Sequence, residues 1–211
     1  MTTLLAPLLE GAQALGLSLN DEQTGQLLAY LDLLAQWNKV YNLTAVRDPA
    51  EMLTHHLLDS LAVIAPLRRH TQGRAISLLD VGSGGGLPGV VIAICCPEMA
   101  VTCVDAVAKK TAFIQQAAGA LGLPRLRSLH ARVEKITGRF DVIASRAFAS
   151  LADFTAWSAG ALAEQGVWMA MKGKRPADEI AALPPAVTVF HVEPLAVPGL
   201  DADRCLVWMR R

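Results

Sequence analysis

The stretch that most constrains the fold of this chain is DVGSGGGLPG, at positions 80–89. The apolar run before it predicts a strand ending at Asp80-Val81, and Leu87-Pro88 opens a helix, since proline is favoured in a first helical turn. Glycines at 82, 84, 85 and 86 let the chain turn tightly with bare backbone amides. This order of strand, glycine turn and helix predicts an α/β fold with a ligand site at the turn, rather than a merely flexible connection.

The chain after Arg74 repeats the same alternation. Short apolar runs and helix-like segments (Pro88 to Cys96, Lys109 to Leu121, Leu151 to Ala163) form four βα units that feed a parallel sheet. The tail differs, because a short helix around Ala177 to Leu183 is followed by AVTVFHVEPL and RCLVWMRR, which read as a hairpin-type pair at one sheet edge. Seven strands, mostly parallel with an antiparallel edge, is the Rossmann-like layout of class I S-adenosylmethionine-dependent methyltransferases.

The first third of the chain is predicted to be helical. Ser18 or Asn20 can cap a helix with an apolar stripe that includes Leu27, Leu31 and Leu34. Asp48-Pro49 starts a second helix, about Ala50 to Ala65, which Pro66 is expected to end. We expect residues 1–73 to form a helical cap that belongs to the same domain as the Rossmann-like core, residues 74–211.

Composition narrows the class of protein. The 211 residues are 53% hydrophobic and 18% charged, enough for one core and unlike a disordered chain. Nineteen basic and nineteen acidic residues cancel, yet residues 68–175 carry fourteen basic and only seven acidic side chains, which can present a basic face to an anion. The absence of CxxC spacing among the four cysteines predicts buried reduced thiols. We see no targeting or membrane-spanning segment and expect a cytoplasmic protein.

The sequence of the glycine turn matches two ligand-binding motifs, one of them better than the other. Gly84-x-Gly86-x-x-Gly89 matches the dinucleotide fingerprint, but its first glycine lies three residues past the strand. The register that abuts the strand, from Gly82 to Gly86 with Asp80 before it, resembles the S-adenosylmethionine loop, in which an acid suits a sulfonium cation. Asp105 ends the next strand and can accept both ribose hydroxyls, unless it is only a helix-capping residue. We therefore expect S-adenosyl-L-methionine as the cofactor, with contacts at Gly82, Gly84 and Asp105.

Longer stretches carry a family resemblance. WNKVYNLTAVRDPAEMLTHHLLDSL, LLDVGSGGGLPGVVIAI, HARVE, FDVIASRAFASL and the MKGK loop resemble the small-subunit ribosomal RNA methyltransferase G family, also called glucose-inhibited division protein B, from about Leu19 to Trp208. The resemblance implies methyl transfer to N7 of one guanine in 16S ribosomal RNA of the small ribosomal subunit. It also implies cofactor contacts at Gly82, Leu87, Val133, Glu134 and Arg146.

The sequence names no catalytic residue, and the implied chemistry needs no general base. Guanine N7 carries an unprotonated lone pair in the plane of the base. The fourth strand leads into SRAFAS, not into the Asn/Asp-Pro-Pro-Tyr loop of amine methylation, and no cysteine lies directly after this strand for a covalent adduct. Alignment of the nucleophile with the methyl group is what remains to lower the barrier.

Three residues are candidates for contact with RNA. Lys172 and Lys174 follow the fifth strand at the cofactor edge, where they are expected to clamp phosphate unless they are only solvated charges. His56 is expected to pack on the core or to touch RNA. His55 and His56 point about 100° apart on a helix and no third ligand completes a set, so we expect no metal.

We expect a monomer. Alternatives that stay open are methylation of a small molecule or a protein, a non-catalytic RNA-binding module, and a nicotinamide oxidoreductase.

Overall fold

A computed structural model describes residues 2–211, and the side chains of residues 4–211. Among these residues no helix is long and apolar enough to cross a membrane. The strands are β1 (Ser77–Val81), β2 (Ala100–Asp105), β3 (Leu126–His130), β4 (Phe140–Arg146), β5 (Leu162–Lys172), β6 (Thr188–Pro194) and β7 (Cys205–Arg210). The α-helices are α1 (Thr2–Ala14), α2 (Asp21–Tyr41), α3 (Pro49–Met52), α4 (Asp59–Leu61), α5 (Ile64–Thr71), α6 (Gly89–Cys95), α7 (Ala108–Ala120), α8 (Leu151–Ser158) and α9 (Ala177–Ala181).

All seven strands lie in one sheet, in the order β3-β2-β1-β4-β5-β7-β6. Strands β1 to β5 pair in parallel, and β7 is antiparallel to both β5 and β6. The predicted fold class and the added strand pair are therefore confirmed. The outermost strand, β6, runs in the same direction as β1 to β5, so the reversal lies one strand inside the edge.

Two predicted helix ends were wrong. The second helix divides into α3, a π-helical turn (Leu53–Leu58) and α4, and the chain then starts α5 at Ile64. Pro66 does not end a helix: it lies in the first turn of α5, where a missing backbone N–H is tolerated. Helix α8 stops at Ser158 instead of Ala163, because Leu162 already pairs with Phe140 in the sheet.

Helix α2 begins at a capping box, which decides between the two predicted caps. The Asn20 side chain accepts from the Gln23 backbone N–H at 2.8 Å, and the Gln23 side chain accepts from the Asn20 backbone N–H at 3.2 Å. The predicted stripe of α2 is buried in a core that also includes Val90 and Val91 of α6. The N-terminal helices thus cover one face of the sheet and its helices, whereas the boundary at residue 73 stays a prediction.

The N-terminal helices also support the glycine turn directly. The hydroxyl of Tyr30 in α2 is fully buried and donates a hydrogen bond to the carbonyl oxygen of Gly85. Burial raises the pKa of Tyr30 well above its ordinary value, so the hydroxyl keeps the proton that it donates. Leu34, one turn further along α2, packs on the same glycine.

Replacing Tyr30 with phenylalanine should destabilise the protein by about 1–2 kcal/mol, because the Gly85 carbonyl loses its donor while the ring packing is kept. Urea unfolding measures this change. The matched control is Tyr41→Phe, at a half-exposed side chain without such a bond, which should change stability by less than about 0.5 kcal/mol. Equal losses in the two variants would contradict a supporting role for the Tyr30 hydroxyl.

Candidate active site

The glycine turn leaves β1 at the carboxyl edge of the sheet and is tied to β2. The Gly82 backbone N–H donates to the carbonyl oxygen of Val104 at 2.9 Å. Gly82 has φ +66°, and a Cβ there would lie 2.2 Å from a ring carbon of Phe148. Both the left-handed backbone and the close approach of Phe148 therefore require glycine at this position.

Asp80 lies behind the turn. Its side chain is fully buried, and one carboxyl oxygen accepts from the Gly89 backbone N–H at 3.0 Å while the other has no partner among the described residues. Burial, opposed by the Gly89 hydrogen bond and by Arg146, raises the pKa of Asp80 to about 7. Since Asp80 lines neither of the clefts described below, the structure favours a role in fixing the turn over direct contact with a sulfonium.

Asp105 at the end of β2 fixes the turn from the other side. Its Oδ2 accepts from the Gly84 backbone N–H at 3.0 Å, and its Oδ1 accepts from the Val107 backbone N–H at 2.9 Å. Lys110 Nζ lies 3.7 Å from Oδ2. A carboxylate has about four acceptor positions, so Asp105 can serve the turn and still accept hydroxyl groups from a ligand.

Two clefts open above the carboxyl ends of the strands. The cap-side cleft has a volume of about 560 Å³ and lies between the glycine turn and the N-terminal helices. The outer cleft has a volume of about 440 Å³ and lies over the ends of β2 and β3. The two meet at Gly82, Lys110 and Ala147. Ala147 has φ +50°, a left-handed conformation that is rare outside glycine and is often found at functional sites.

The predicted cofactor residues divide between these clefts. Gly82 lines both. Gly84, Leu87 and Arg146 line the cap-side cleft. Asp105, Val133 and Glu134 line the outer cleft. A long ligand that contacts all seven would therefore run from the outer cleft, past Gly82, into the cap-side cleft.

Arg146 belongs to a charge cluster that sequence reasoning missed. Its Nη1 donates to Asp59 at 2.8 Å and to the carbonyl oxygen of His55 at 3.0 Å. The other Asp59 oxygen accepts from Arg204 Nε at 2.9 Å, and the Asp59 side chain is only 4% exposed. One buried carboxylate thus holds two arginines in the wall of the cap-side cleft. In the sequence, the one signal for the segment that contains Asp59 is the family resemblance of HHLLDSL.

The predicted RNA contacts have different environments. Lys172 lines the cap-side cleft, but its Nζ donates to Glu179 at 2.8 Å and to the Ala149 carbonyl oxygen at 2.9 Å. Helix α9 thus brings an acid onto Lys172, and contact of Lys172 with RNA phosphate stays a prediction. Lys174 is exposed and lines a separate, smaller cleft.

His56 lines the cap-side cleft with most of its side chain buried. Its Nε2 lies 2.8 Å from the hydroxyl oxygen of Thr44. Burial, followed by the charge of Arg146, lowers the pKa of His56 to about 4, so the ring is neutral at physiological pH. His56 therefore contributes a neutral, polar side chain to the wall of the cleft.

Other expectations concern metals and thiols. Within residues 2–211 no three His, Cys, Asp or Glu side chains lie close enough together to hold a metal ion. Cys95, Cys96, Cys103 and Cys205 are all free and buried, as predicted.

The sheet order, the glycine turn after β1 and the acid at the end of β2 define the class I S-adenosylmethionine-dependent methyltransferase fold. The chain is similar to magnesium protoporphyrin IX methyltransferase from Synechocystis PCC 6803, with a TM-score of 0.62 and 13% identity over 92% of this chain and 99% of that one. It is also similar to TrmN from Thermus thermophilus, with a TM-score of 0.59 and 23% identity over 75% of this chain and 53% of that one. At these identities the likeness shows the fold alone.

Sequence relatives are more specific. The profile of the family described as rRNA small subunit methyltransferase G matches residues 23–207. The protein of that name from Polaromonas sp. strain JS666 is 72% identical over 204 residues, covering 95% of this chain and 90% of the relative. The one from Acidovorax ebreus is 68% identical over 217 residues, covering 99% and 96%. The chain belongs to the rRNA small subunit methyltransferase G family, which confirms the resemblance, and its methyl donor is S-adenosylmethionine.

Gly82→Val should abolish donor binding, because the new side chain would collide with Phe148 and displace the turn between the clefts. Calorimetric titration with S-adenosylhomocysteine measures the affinity. The control is Gly119→Ala in α7, where the backbone φ is not left-handed and a Cβ meets nothing within 4 Å. Near-normal affinity in Gly82→Val would show that the turn does not form the donor site.

Asp80→Asn should remove a pH dependence of stability. Between its ordinary pKa of 3.8 and about 7, the folded protein holds a proton on Asp80 that the unfolded chain has lost. Raising the pH through this range therefore destabilises the wild type more than the variant. We expect the Tm of the wild type minus that of Asp80→Asn to fall by several degrees from about pH 5 to about pH 8, without donor.

The exposed Asp201→Asn serves as the control for this comparison and should show a constant difference in Tm. A constant difference for Asp80→Asn as well would show that the Asp80 carboxyl does not titrate as its burial requires.

Proposed function

We propose that this protein transfers a methyl group from S-adenosylmethionine to N7 of one guanine in 16S ribosomal RNA of the small ribosomal subunit. The curated relatives are named ribosomal RNA small subunit methyltransferase G. The observation that carries the finer proposal is the chemistry of the cap-side cleft: it is cationic, and Asp59, the one carboxylate among its described lining residues, is held by two arginines.

The donor fits the two clefts with its adenosine in the outer one. Asp105 has acceptor positions left for the ribose hydroxyls, and Val133 and Glu134 lie where the adenine ring would be. The methionine part then passes the glycine turn, where the Cβ side of Gly84 is open except for the Gly82 carbonyl oxygen at 3.9 Å. Leu87 completes this wall.

We assign the carboxylate of the donor to Arg146, which lines the cap-side cleft. Nη1 is used by Asp59 and the His55 carbonyl, and Nε and Nη2 donate to no described residue. Arg146 can therefore bind an anion without leaving the cluster, because its guanidinium presents five N–H donors in a fixed plane.

When bound, the donor supplies a methyl group on a positively charged sulfur. Guanine N7 offers a lone pair, so no proton has to be removed before attack. The cap-side cleft agrees with a reaction that needs no general base. Both carboxyl oxygens of Asp59 accept hydrogen bonds from arginines, and His56 is hydrogen-bonded to Thr44. The chain's contribution is to hold the base against the donor in a fixed geometry, which by itself can supply several kcal/mol.

The lining of the cap-side cleft also suits a polyanion. Lys110, Arg146, Lys172 and Arg204 contribute cations, while the formal charge of the whole chain is zero. Local positive charge with no net charge favours RNA that is already folded in a particle over naked RNA, whose binding depends on many phosphate contacts. We propose that the protein acts as a monomer, and ribosomal RNA as the target supports a cytoplasmic protein.

The test uses purified protein, donor labelled on its methyl group, and small ribosomal subunits that lack the modification. We expect label in 16S RNA, and reduction followed by aniline should cleave the RNA at a single guanosine, which is the signature of N7 methylation. Gly82→Val is the control and should give no label. Label without aniline cleavage would move the methyl group to another atom, and no label with wild type would remove the function.

A further inference from the structure

A third, smaller cleft adjoins the cap-side cleft, and we call it the flank cleft. It has a volume of about 250 Å³ and shares Gly173 and Arg204 with its neighbour. The loop after β5 contributes Lys174 and Arg175, the segment before β7 contributes Asp203, and β7 itself begins at the lining residue Cys205. Because parallel β5 ends here, the flank cleft opens at the same edge of the sheet as the active site.

Arg204 is fixed in the wall that separates the two clefts. Its Nε donates to Asp59 at 2.9 Å, and its Nη1 donates to the carbonyl oxygen of Asp203 at 2.8 Å. In the described structure no group accepts from its Nη2. An arginine that is already held in place loses little side-chain freedom when it binds an anion.

Lys174 and Arg175 differ from Lys172 because, among the described residues, neither is paired with an acidic side chain. Both side chains are exposed, and in the described part of the chain neither forms an ion pair or a side-chain hydrogen bond. Lys172, by contrast, is neutralised by Glu179. The flank cleft therefore presents Lys174, Arg175 and Arg204 against a single lining acid, Asp203, and keeps an excess of positive charge.

We propose that the flank cleft binds a backbone phosphate of the RNA, from a nucleotide next to the target guanine. The inference rests on the proposed function and refines it: the two clefts share the wall at Gly173 and Arg204, so the flank cleft adjoins the place proposed for the target base. A fixed guanidinium with two mobile cations suits the several oxygens of a phosphate. Apolar Val192 and Pro194 line the cleft beside these cations.

The test compares wild type with Lys174→Ala/Arg175→Ala on small ribosomal subunits over a series of salt concentrations. We expect kcat/KM to fall about tenfold at low salt, the loss typical of one or two charge-assisted bonds. The slope of log kcat/KM against log salt should become less negative by about 1, because one phosphate contact is lost. The Kd for S-adenosylhomocysteine and the Tm should not change.

The matched control is Arg125→Ala/Arg127→Ala, which removes the same charge at the amino end of β3, on the edge strand farthest from β6. It should keep the wild-type kcat/KM and salt slope. Equal effects of the two double variants would overturn the phosphate site, because net charge would then explain both.

The remaining outcomes are also decisive. A lower kcat/KM with an unchanged salt slope overturns the phosphate assignment and points to contact with a ribosomal protein. If wild type is active and Lys174→Ala/Arg175→Ala is equally active, the flank cleft is not a phosphate site and the proposed function still stands. An inactive wild type overturns the proposed function itself, and this inference with it.

Discussion

The glycine turn after β1 is held in place from three directions, and the rest of the site depends on it. Tyr30 donates to Gly85 from the N-terminal helices, Asp80 accepts from Gly89 at the base of the turn, and Asp105 accepts from Gly84 at the end of β2. Each of these contacts uses the backbone of the turn, and the buried Ser83 hydroxyl adds a bond from within it, to the Asp80 carbonyl oxygen at 2.8 Å. A ligand can then approach the bare backbone of the turn, because the neighbouring elements hold that backbone rigid.

The second organising contact is electrostatic. Asp59 follows the π-helical turn, Arg146 ends β4 and Arg204 precedes β7, so one carboxylate links three distant parts of the chain. Two cations on one buried carboxylate leave an excess positive charge, which costs stability unless an anion approaches. The donor carboxylate on one side and RNA phosphate on the other are anions that would meet this need.

Local sequence patterns made much of the fold and of the glycine turn predictable. The glycines, Asp80 and Asp105 could be placed because a strand, a tight turn and a helix fix their neighbours within a few residues. Seven strands and the reversed tail followed from alternating runs and turn residues. The helix end predicted at Pro66 was wrong because a proline can follow the end of one helix or lie in the first turn of the next. Only the turn at Ala62-Val63 shows which of the two applies.

Pairings across the chain could not be read from the sequence. Arg204 lies 145 residues from Asp59, so no spacing rule connects them. Lys172 and Glu179 are only seven residues apart, yet their contact depends on how the loop after β5 places α9. Asp80 was expected to suit the sulfonium of the donor, whereas its side chain lies behind the turn and away from the clefts, a direction that depends on packing against Gly89 and Cys103.

These pairings explain how a chain with no net charge can act on RNA. Lys172 is neutralised by Glu179, and Arg146 and Arg204 share Asp59, so the cations nearest the target base are mostly compensated and serve to position groups. The uncompensated ones, Lys174 and Arg175, lie one cleft further out. Strong general attraction to phosphate would hold the enzyme on any RNA, because such binding ignores sequence. A site whose cations are mostly paired, so that only a modest positive excess remains, instead leaves selection to the shape of the folded particle and to the fit of one base.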